Sequence, residues 1–293
     1  MNPRKTALLA ILLIATASLA AAQGTFTQID FPNSTQTFCV GLDAAGDVSG
    51  SYADAHGNWH GFLLQGQNYI TVDYPGGQNT YVQGMNNSGQ LVGYTGAGSN
   101  FFSFVYDIRH QFFTQISYPG ASATTAFALS DSGAVAGQFV DSGDVVRGFE
   151  MLGSGFRRIA PRAATTASVT GITTAGTLVG FFSISTGVVD NFWFLNGNYR
   201  RLSMNNKPKS AEVLGINPSG TMLVGRYPTA GQNYSAFSYR AGTLRILKVP
   251  GASSTIAYGA NDGGEVVGAF VDGQSHQHGF LWTAPKAASR EKP

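Results

Sequence analysis

Six near copies of one short stretch recur along the chain: GLDAAGDVSGSY, GMNNSGQLVGY, ALSDSGAVAGQF, GITTAGTLVGFF, GINPSGTMLVGRY and GANDGGEVVGAF. The glycines Gly46, Gly89, Gly133, Gly176, Gly220 and Gly264 give them a period of 43 or 44 residues. Three residues ahead of each glycine stands Asp43, Asn86, Ser130, Thr173, Asn217 or Asn261, and five ahead stands Gly41, Gly84, Ala128, Gly171, Gly215 or Gly259. Each of the six polar side chains can fold an oxygen back onto the backbone two residues on. The glycine then takes the positive φ that closes the turn. Every copy therefore reads as the corner of a β-hairpin.

An apolar strand follows each corner, then a polar loop, then a strand centred on Phe62, Phe104, Phe149, Phe192, Phe237 or Phe280. A fourth strand comes within a few residues, as in ITVDYPG, FTQISYPG and LRILKVPG. Four short antiparallel strands cannot bury their faces alone and must stack on copies of themselves. This period is too long for one coil of a β-helix, and no 3.6-residue pattern supports a helical repeat. It is the spacing of a β-propeller. The repeats begin on a fourth strand, FTQIDFP, and end on a third, HGFLWT. The expected fold is thus all-β: a six-bladed β-propeller, four antiparallel strands per blade. Its ring is expected to close by residues 25–31 pairing with residues 279–282 of the last blade, leaving no open edge.

The stretches GINPSGTMLVG and HGFLW resemble the pattern of the probable extracellular repeat family named HAF, found in exported bacterial proteins, and the likeness runs over nearly all of the chain after residue 22. The residue before the phenylalanine is mostly Gly or Ser here, with Ala only at Ala236. The resemblance implies export and tandem repeats, and it carries no activity and no residue roles.

Arg4 and Lys5 precede a short apolar run, and small residues follow up to Ala22, so residues 1–22 read as an export signal. The run is too short to favour a membrane anchor. A single domain over residues 23–284, a disordered tail over 285–293, no membrane span after signal removal, and a secreted or periplasmic monomer are expected. Charged residues make up 12% of the chain, against about 25% in ordinary globular proteins. Without Arg4 and Lys5 the two signs balance, so nothing points to nucleic acid. The single Cys39 cannot form an internal disulfide and reads as a buried, unreactive thiol.

The sequence contains no zinc-finger spacing, CxxC pair, GxSxG elbow, phosphate loop or dinucleotide fingerprint. No catalytic residue, metal site or cofactor is therefore assigned. His276 and His278 could share one side of a strand, as metal ligands do, but repeat consensus explains them as well. Asp54, Asp141 and Asp272 each end a second strand inside a turn-like stretch, where capping explains them. Charge is unevenly spread: residues 23–146 hold nine acids and one basic residue, Arg109, whereas residues 147–285 hold twelve basic residues and six acids. Arg157, Arg200 and Arg245 stand at matching places in successive fourth strands, which suits either an anionic partner or protection of outer edges.

Propeller architecture directs attention to loops that enter the first strands and join second to third strands, near the channel. The residues assigned there as candidates for ligand binding are Asp141, Asp144, Lys207, Lys209, Arg226 and His276. The function expected is an exported, non-catalytic propeller that binds a protein or glycan through one face. The alternative is a carbohydrate-active hydrolase or lyase using scattered Asp and Glu near the central channel.

Overall fold

The computed structural model describes residues 24–97, 100–206 and 208–285. The expected export signal, residues 286–293 of the expected tail, and Lys207 lie outside the described residues. Strand β1 (Thr25–Ile29) comes first. Repeat 1 then supplies β2 (Gln36–Leu42), β3 (Val48–Ala53), β4 (Trp59–Gln65) and β5 (Asn68–Val72). Repeat 2 supplies β6 (Asn79–Met85), β7 (Gln90–Ala97), β8 (Asn100–Asp107) and β9 (Phe112–Ile116). Repeat 3 supplies β10 (Ala123–Leu129), β11 (Val135–Val140), β12 (Val146–Leu152) and β13 (Gly155–Ile159). Repeat 4 supplies β14 (Thr166–Ile172), β15 (Leu178–Ser183), β16 (Val189–Leu195) and β17 (Asn198–Arg201). Repeat 5 supplies β18 (Glu212–Ile216), β19 (Met222–Pro228), β20 (Tyr234–Arg240) and β21 (Thr243–Leu247). The last group supplies β22 (Ser254–Ala260), β23 (Val266–Val271) and β24 (Gln277–Thr283). Its fourth place is taken by β1, antiparallel to β24 from Thr25↔Thr283 to Ile29↔Gly279. Phe31 lies past the end of β1 and stacks on Tyr52 at 3.6 Å.

The corners form as the sequence pattern requires. Asp43 Oδ1 accepts from the backbone N–H groups of Ala45 and Asp47, and Asn86 Oδ1 accepts from those of Ser88 and Gln90. Gly46 closes its turn at φ +88°. The glycine of each second strand has a different task. It sits opposite the phenylalanine of the third strand, as in Gly50↔Phe62 and Gly268↔Phe280, and the ring lies across it. A methyl group on Gly268 would meet the Phe280 ring at 2.7 Å. All six phenylalanines are buried, and full burial of such a side chain contributes about 2–3 kcal/mol.

Apolar side chains gather in six clusters among the described residues, each joining successive repeats. One holds Val40, Leu63 and Val72 of repeat 1 with Val82 and Phe104 of repeat 2. Another joins the ends of the chain, placing Ile29, Cys39, Leu42 and Phe62 against Val267 and Leu281. The core therefore lies between repeats, and the strands of a single repeat have no core of their own. The first strand of each repeat touches the first strand of the next, and β22 touches β2. Arg157 of β13 lies 4.8 Å over the ring of Phe194 in the following repeat, and Arg245 of β21 lies 5.5 Å over Trp282. At these two positions the arginines pack against a neighbouring repeat.

A hydrogen-bonded circuit runs around the corners and was not visible in the repeat period. The backbone N–H of Ala44 donates to Asn87 Oδ1, and that of Asn87 donates to Asp131 Oδ1, both at 2.8 Å. Thr174 Oγ1 donates to Asp131 Oδ2 at 3.4 Å, and its backbone N–H donates to the Pro218 carbonyl at 3.0 Å. Ser219 N–H donates to Asp262 Oδ1 at 3.1 Å, and Asn261 Nδ2 donates to the Asp43 carbonyl at 3.1 Å. Each corner thus closes its own turn and also satisfies a polar group of a neighbour.

Candidate functional site

Every first strand carries a register shift at one place, between Cys39 and Gly41 in β2 and at the matching points of β6, β10, β14, β18 and β22. Such a bulge leaves one residue unpaired and re-aims its side chain. The residues at the bulges, Val40, Gln83, Phe127, Thr170, Leu214 and Tyr258, all line a central cavity of about 220 Å³. The residues one step further on, Gly84, Gly215 and Gly259 among them, pass against the backbone carbonyl of the next bulge residue. Close approach of neighbouring inner strands explains glycine there.

The channel wall is largely apolar. Among its described lining residues the one carboxylate is Asp131, at the corner end. Both its oxygens accept hydrogen bonds from Asn87 and Thr174. Tyr258 has its pKa raised by burial, an effect opposed by the nearby positive charge of Arg226.

The opposite end, where second strands lead to third strands, is asymmetric. The register places Ser51, Tyr94, Gln138, Phe181, Arg226 and Ala269 at equivalent positions on the second strands. In repeat 5 this position is charged: Arg226 Nε donates to Glu212 Oε2 at 2.8 Å, and its guanidinium lies 4.2 Å over the Tyr234 ring. In repeat 2 it is Tyr94, which belongs to a ladder of rings that starts in repeat 1. Phe38 lies 5.3 Å from Trp59, Trp59 lies 5.5 Å from Tyr81, and Tyr81 stacks on Tyr94 at 4.8 Å with the planes 18° apart. Phe101 continues the ladder 6.3 Å beyond Tyr94 and is 40% exposed. The Trp59 backbone N–H donates to Asn79 Oδ1 at 2.8 Å, fixing the start of β4. Burial pushes the Tyr94 hydroxyl up to about 12, with Tyr81 adding to the effect.

The residues singled out from the sequence lie on repeats 3, 5 and 6 and form no common centre. Asp141 Oδ1 caps its own turn through the N–H groups of Gly143 and Val145, and Oδ2 accepts from Arg147 Nε at 3.1 Å. The Arg147 hydrogen bond, followed by those backbone donors, holds the Asp141 carboxyl below the usual carboxylate range. Asp144 is a turn residue with φ +58°. Lys209 is exposed on the loop before β18. His276 is exposed in the turn after β23, where its backbone N–H donates to Asp272 Oδ1 at 2.8 Å. Arg226 alone of the five described residues stands beside channel-lining Tyr258. The ladder was missed because the search followed charge. The signal was present as two aromatic first-strand residues, Phe38 and Tyr81, where the other repeats carry Thr125, Ser168, Glu212 and Ile256.

No family model matches this chain, and no curated protein sequence matches it. Solved structures resemble its fold. TolB from Acinetobacter baumannii matches at 12% identity with a TM-score of 0.57, covering 81% of this chain and 64% of TolB. The fucose-specific lectin from Aleuria aurantia matches at 13% identity and a TM-score of 0.55, covering 87% of this chain and 95% of the lectin. The β-propeller domain of the Trilobed protease from Pyrococcus furiosus matches at 7% identity and a TM-score of 0.56, covering 89% and 84%. The chain spans less than two thirds of TolB. These likenesses concern architecture alone, and the architecture is an all-β propeller. No described helix is long and apolar enough to cross a membrane.

Proposed function

We propose that this chain is an exported, non-catalytic propeller of six blades that binds a glycan or protein segment at the channel end carrying the aromatic ladder. The six-blade reading and closure of the ring rest on three contacts between the chain's ends: the β1–β24 pairing, the Asn261–Asp43 hydrogen bond, and the shared core of Cys39, Val267 and Leu281. Export rests on the basic-then-apolar opening of the sequence and on the HAF-like repeats.

The ladder carries the binding reading. Phe38, Trp59, Tyr81, Tyr94 and Phe101 present partly exposed ring surface on a rigid sheet framework. Rigid amphipathic rings lose little conformational entropy when a ligand stacks on them. The C–H face of a sugar ring, or a proline or aromatic side chain of a peptide, suits such a platform. The Aleuria lectin is a fucose-specific protein of similar fold, which adds analogy and no more. A hydrolase would need two carboxylates roughly 5–10 Å apart around its ligand. The described channel lining offers Asp131 alone, already engaged.

A glycan array and a peptide display, each probed with the purified protein, test the reading. Binding on either, lost by about 30-fold in Trp59→Ala as expected for a central aromatic anchor worth about 2 kcal/mol, supports it. Binding unaffected by Trp59→Ala would move the site away from the ladder. Turnover of a polysaccharide would favour the enzyme.

A further inference from the structure

Three second strands end in the same turn. Asp54, Asp141 and Asp272 each use Oδ1 to accept two backbone N–H groups, two and four residues on. The turn leaves Oδ2 free for another partner, and that partner differs between repeats. Asp54 Oδ2 accepts from the amide of Asn58 at 3.0 Å and has His60 Nε2 3.6 Å away. Asp141 Oδ2 accepts from the Arg147 guanidinium. Asp272 Oδ2 faces two imidazoles, with His278 Nε2 at 3.4 Å and His276 Nδ1 at 3.5 Å.

His278 is held from its other side. Its Nδ1 lies 3.0 Å from both oxygens of Asp30, just beyond the end of β1. A carboxylate only accepts, so Nδ1 carries a proton toward Asp30; when Nε2 is unprotonated, its lone pair and those of Asp272 Oδ2 converge on one point that a cation can fill. A carboxylate bonded to the far nitrogen of a histidine is the arrangement that orients metal-binding imidazoles. Repeat 1 repeats this buttress, with His60 Nδ1 2.9 Å from Asp73 Oδ2, but places Asn58 where repeat 6 has His276. Its amide N–H fills the place that His276 leaves to a cation.

We propose that Asp272, His276 and His278 form a site for a borderline divalent transition metal of the zinc class, with Asp30 positioning His278. Their ligand atoms lie within 4.8 Å of one another. Tetrahedral bonds of about 2.1 Å set neighbouring ligand atoms roughly 3.4 Å apart, close to the two separations around Asp272 Oδ2. The His276 side chain is 66% exposed, so it can turn inward to shorten the remaining edge. Water would complete the coordination. Imidazole and carboxylate donors select zinc-like ions over calcium or magnesium, which take oxygen. A bound ion would tie the β23–β24 turn to β24 beside the seam with β1.

The test uses the untagged full chain stripped with chelator. Titration calorimetry with zinc chloride is expected to give one ion per chain, and cobalt chloride to give visible d–d absorption. At a hundredfold excess over Kd the thermal midpoint rises by about 5–10 °C. His276→Asn, which recreates the repeat 1 arrangement at an exposed position, lowers zinc affinity at least tenfold without changing the circular dichroism. Asp30→Asn lowers it by about 10–100-fold. In the unaltered protein, zinc shifts the His278 Nε2 resonance and leaves His60 in place, a readout that needs no variant. Absence of zinc binding at 100 micromolar would overturn the site, leaving His278 as a hydrogen-bond partner of Asp30 and Asp272. Affinity unchanged in His276→Asn would overturn it equally by placing the ion elsewhere.

Discussion

Replacing Gly259 with alanine puts a methyl group where β22 passes β2, at the joint between the last repeat and the first. Its Cβ would lie 2.5 Å from the Val40 carbonyl oxygen, 3.1 Å from Val267 Cγ2 and 3.3 Å from the Val40 carbonyl carbon. Cβ contacts below 3.0 Å are essentially never seen, so the two inner strands must part by about 0.5 Å or more. The Val40 oxygen is backbone and cannot swing aside. Val40, Val267 and Cys39 are all buried in these joints, so separation also loosens their contacts. Overpacking of this kind costs about 1–3 kcal/mol, which at roughly 2–4 °C per kcal/mol lowers the thermal midpoint by about 2–12 °C. The assay is thermal unfolding by circular dichroism, alongside a denaturant titration whose m-value checks cooperativity. Gly46→Ala is the control for the other use of glycine: its Cβ meets nothing within 4 Å, and its cost comes from φ +88° alone. An unchanged midpoint in Gly259→Ala would refute the close approach of β22 to β2.

Two further outcomes follow from hydrogen bonds. Asp131→Ala removes the acceptor for Asn87 N–H, Asn87 Nδ2 and Thr174 Oγ1; denaturant unfolding should show a loss of about 1–2 kcal/mol, partly restored in Asp131→Asn. Asp54, Asp107, Asp141 and Asp272 all have folded pKa values below the ordinary carboxylate value, through the Asn58 amide, the His110 side chain, Arg147 and the His276 N–H respectively. Depressed carboxylate values stabilise the fold above the unfolded pKa near 4 and lose that contribution as pH falls through the folded values. Denaturant midpoints should therefore hold from about pH 7 to 5 and decline below about 4, less steeply in Asp141→Asn; a loss already complete above pH 5 would contradict the assignment.

The period and the corner residues were legible because a β-turn is local: Asp43 caps residues two and four places on, and Gly46 supplies the positive φ. The third-strand phenylalanines were legible because their register keeps step with the turn glycines. The bulges at Val40, Gln83, Phe127, Thr170, Leu214 and Tyr258 were not, since first strands such as β2 are buried on both faces near the bulge and show no alternation for an extra residue to interrupt. The corner circuit through Asn87, Asp131 and Asp262 escaped for another reason. Its bonds join residues one whole repeat apart, and nothing in the period says which side chain meets its neighbour. Candidate sites were sought in charge, and of the residues so chosen Arg226 lies beside channel-lining Tyr258. The aromatic ladder and the Asp272–His276–His278 grouping depend on how adjacent strands face each other, and that was fixed by packing between sheets. The buried Cys39 matched its expected role, with burial pushing its thiol pKa far above the ordinary range.

A cross-link shows whether β1 is stitched to the last repeat in the folded protein. Thr27 and Leu281 are paired across β1 and β24, and Thr27 is exposed. Paired residues of antiparallel strands lie about 4.5–5.5 Å apart, within disulfide reach. The double variant Thr27→Cys/Leu281→Cys should form a disulfide on mild oxidation of the folded protein, while the buried Cys39 stays reduced. Closing so long a loop should stabilise the fold by about 5 kcal/mol. Failure of the folded protein to cross-link, or a cross-link that forms only after unfolding, would contradict the closure.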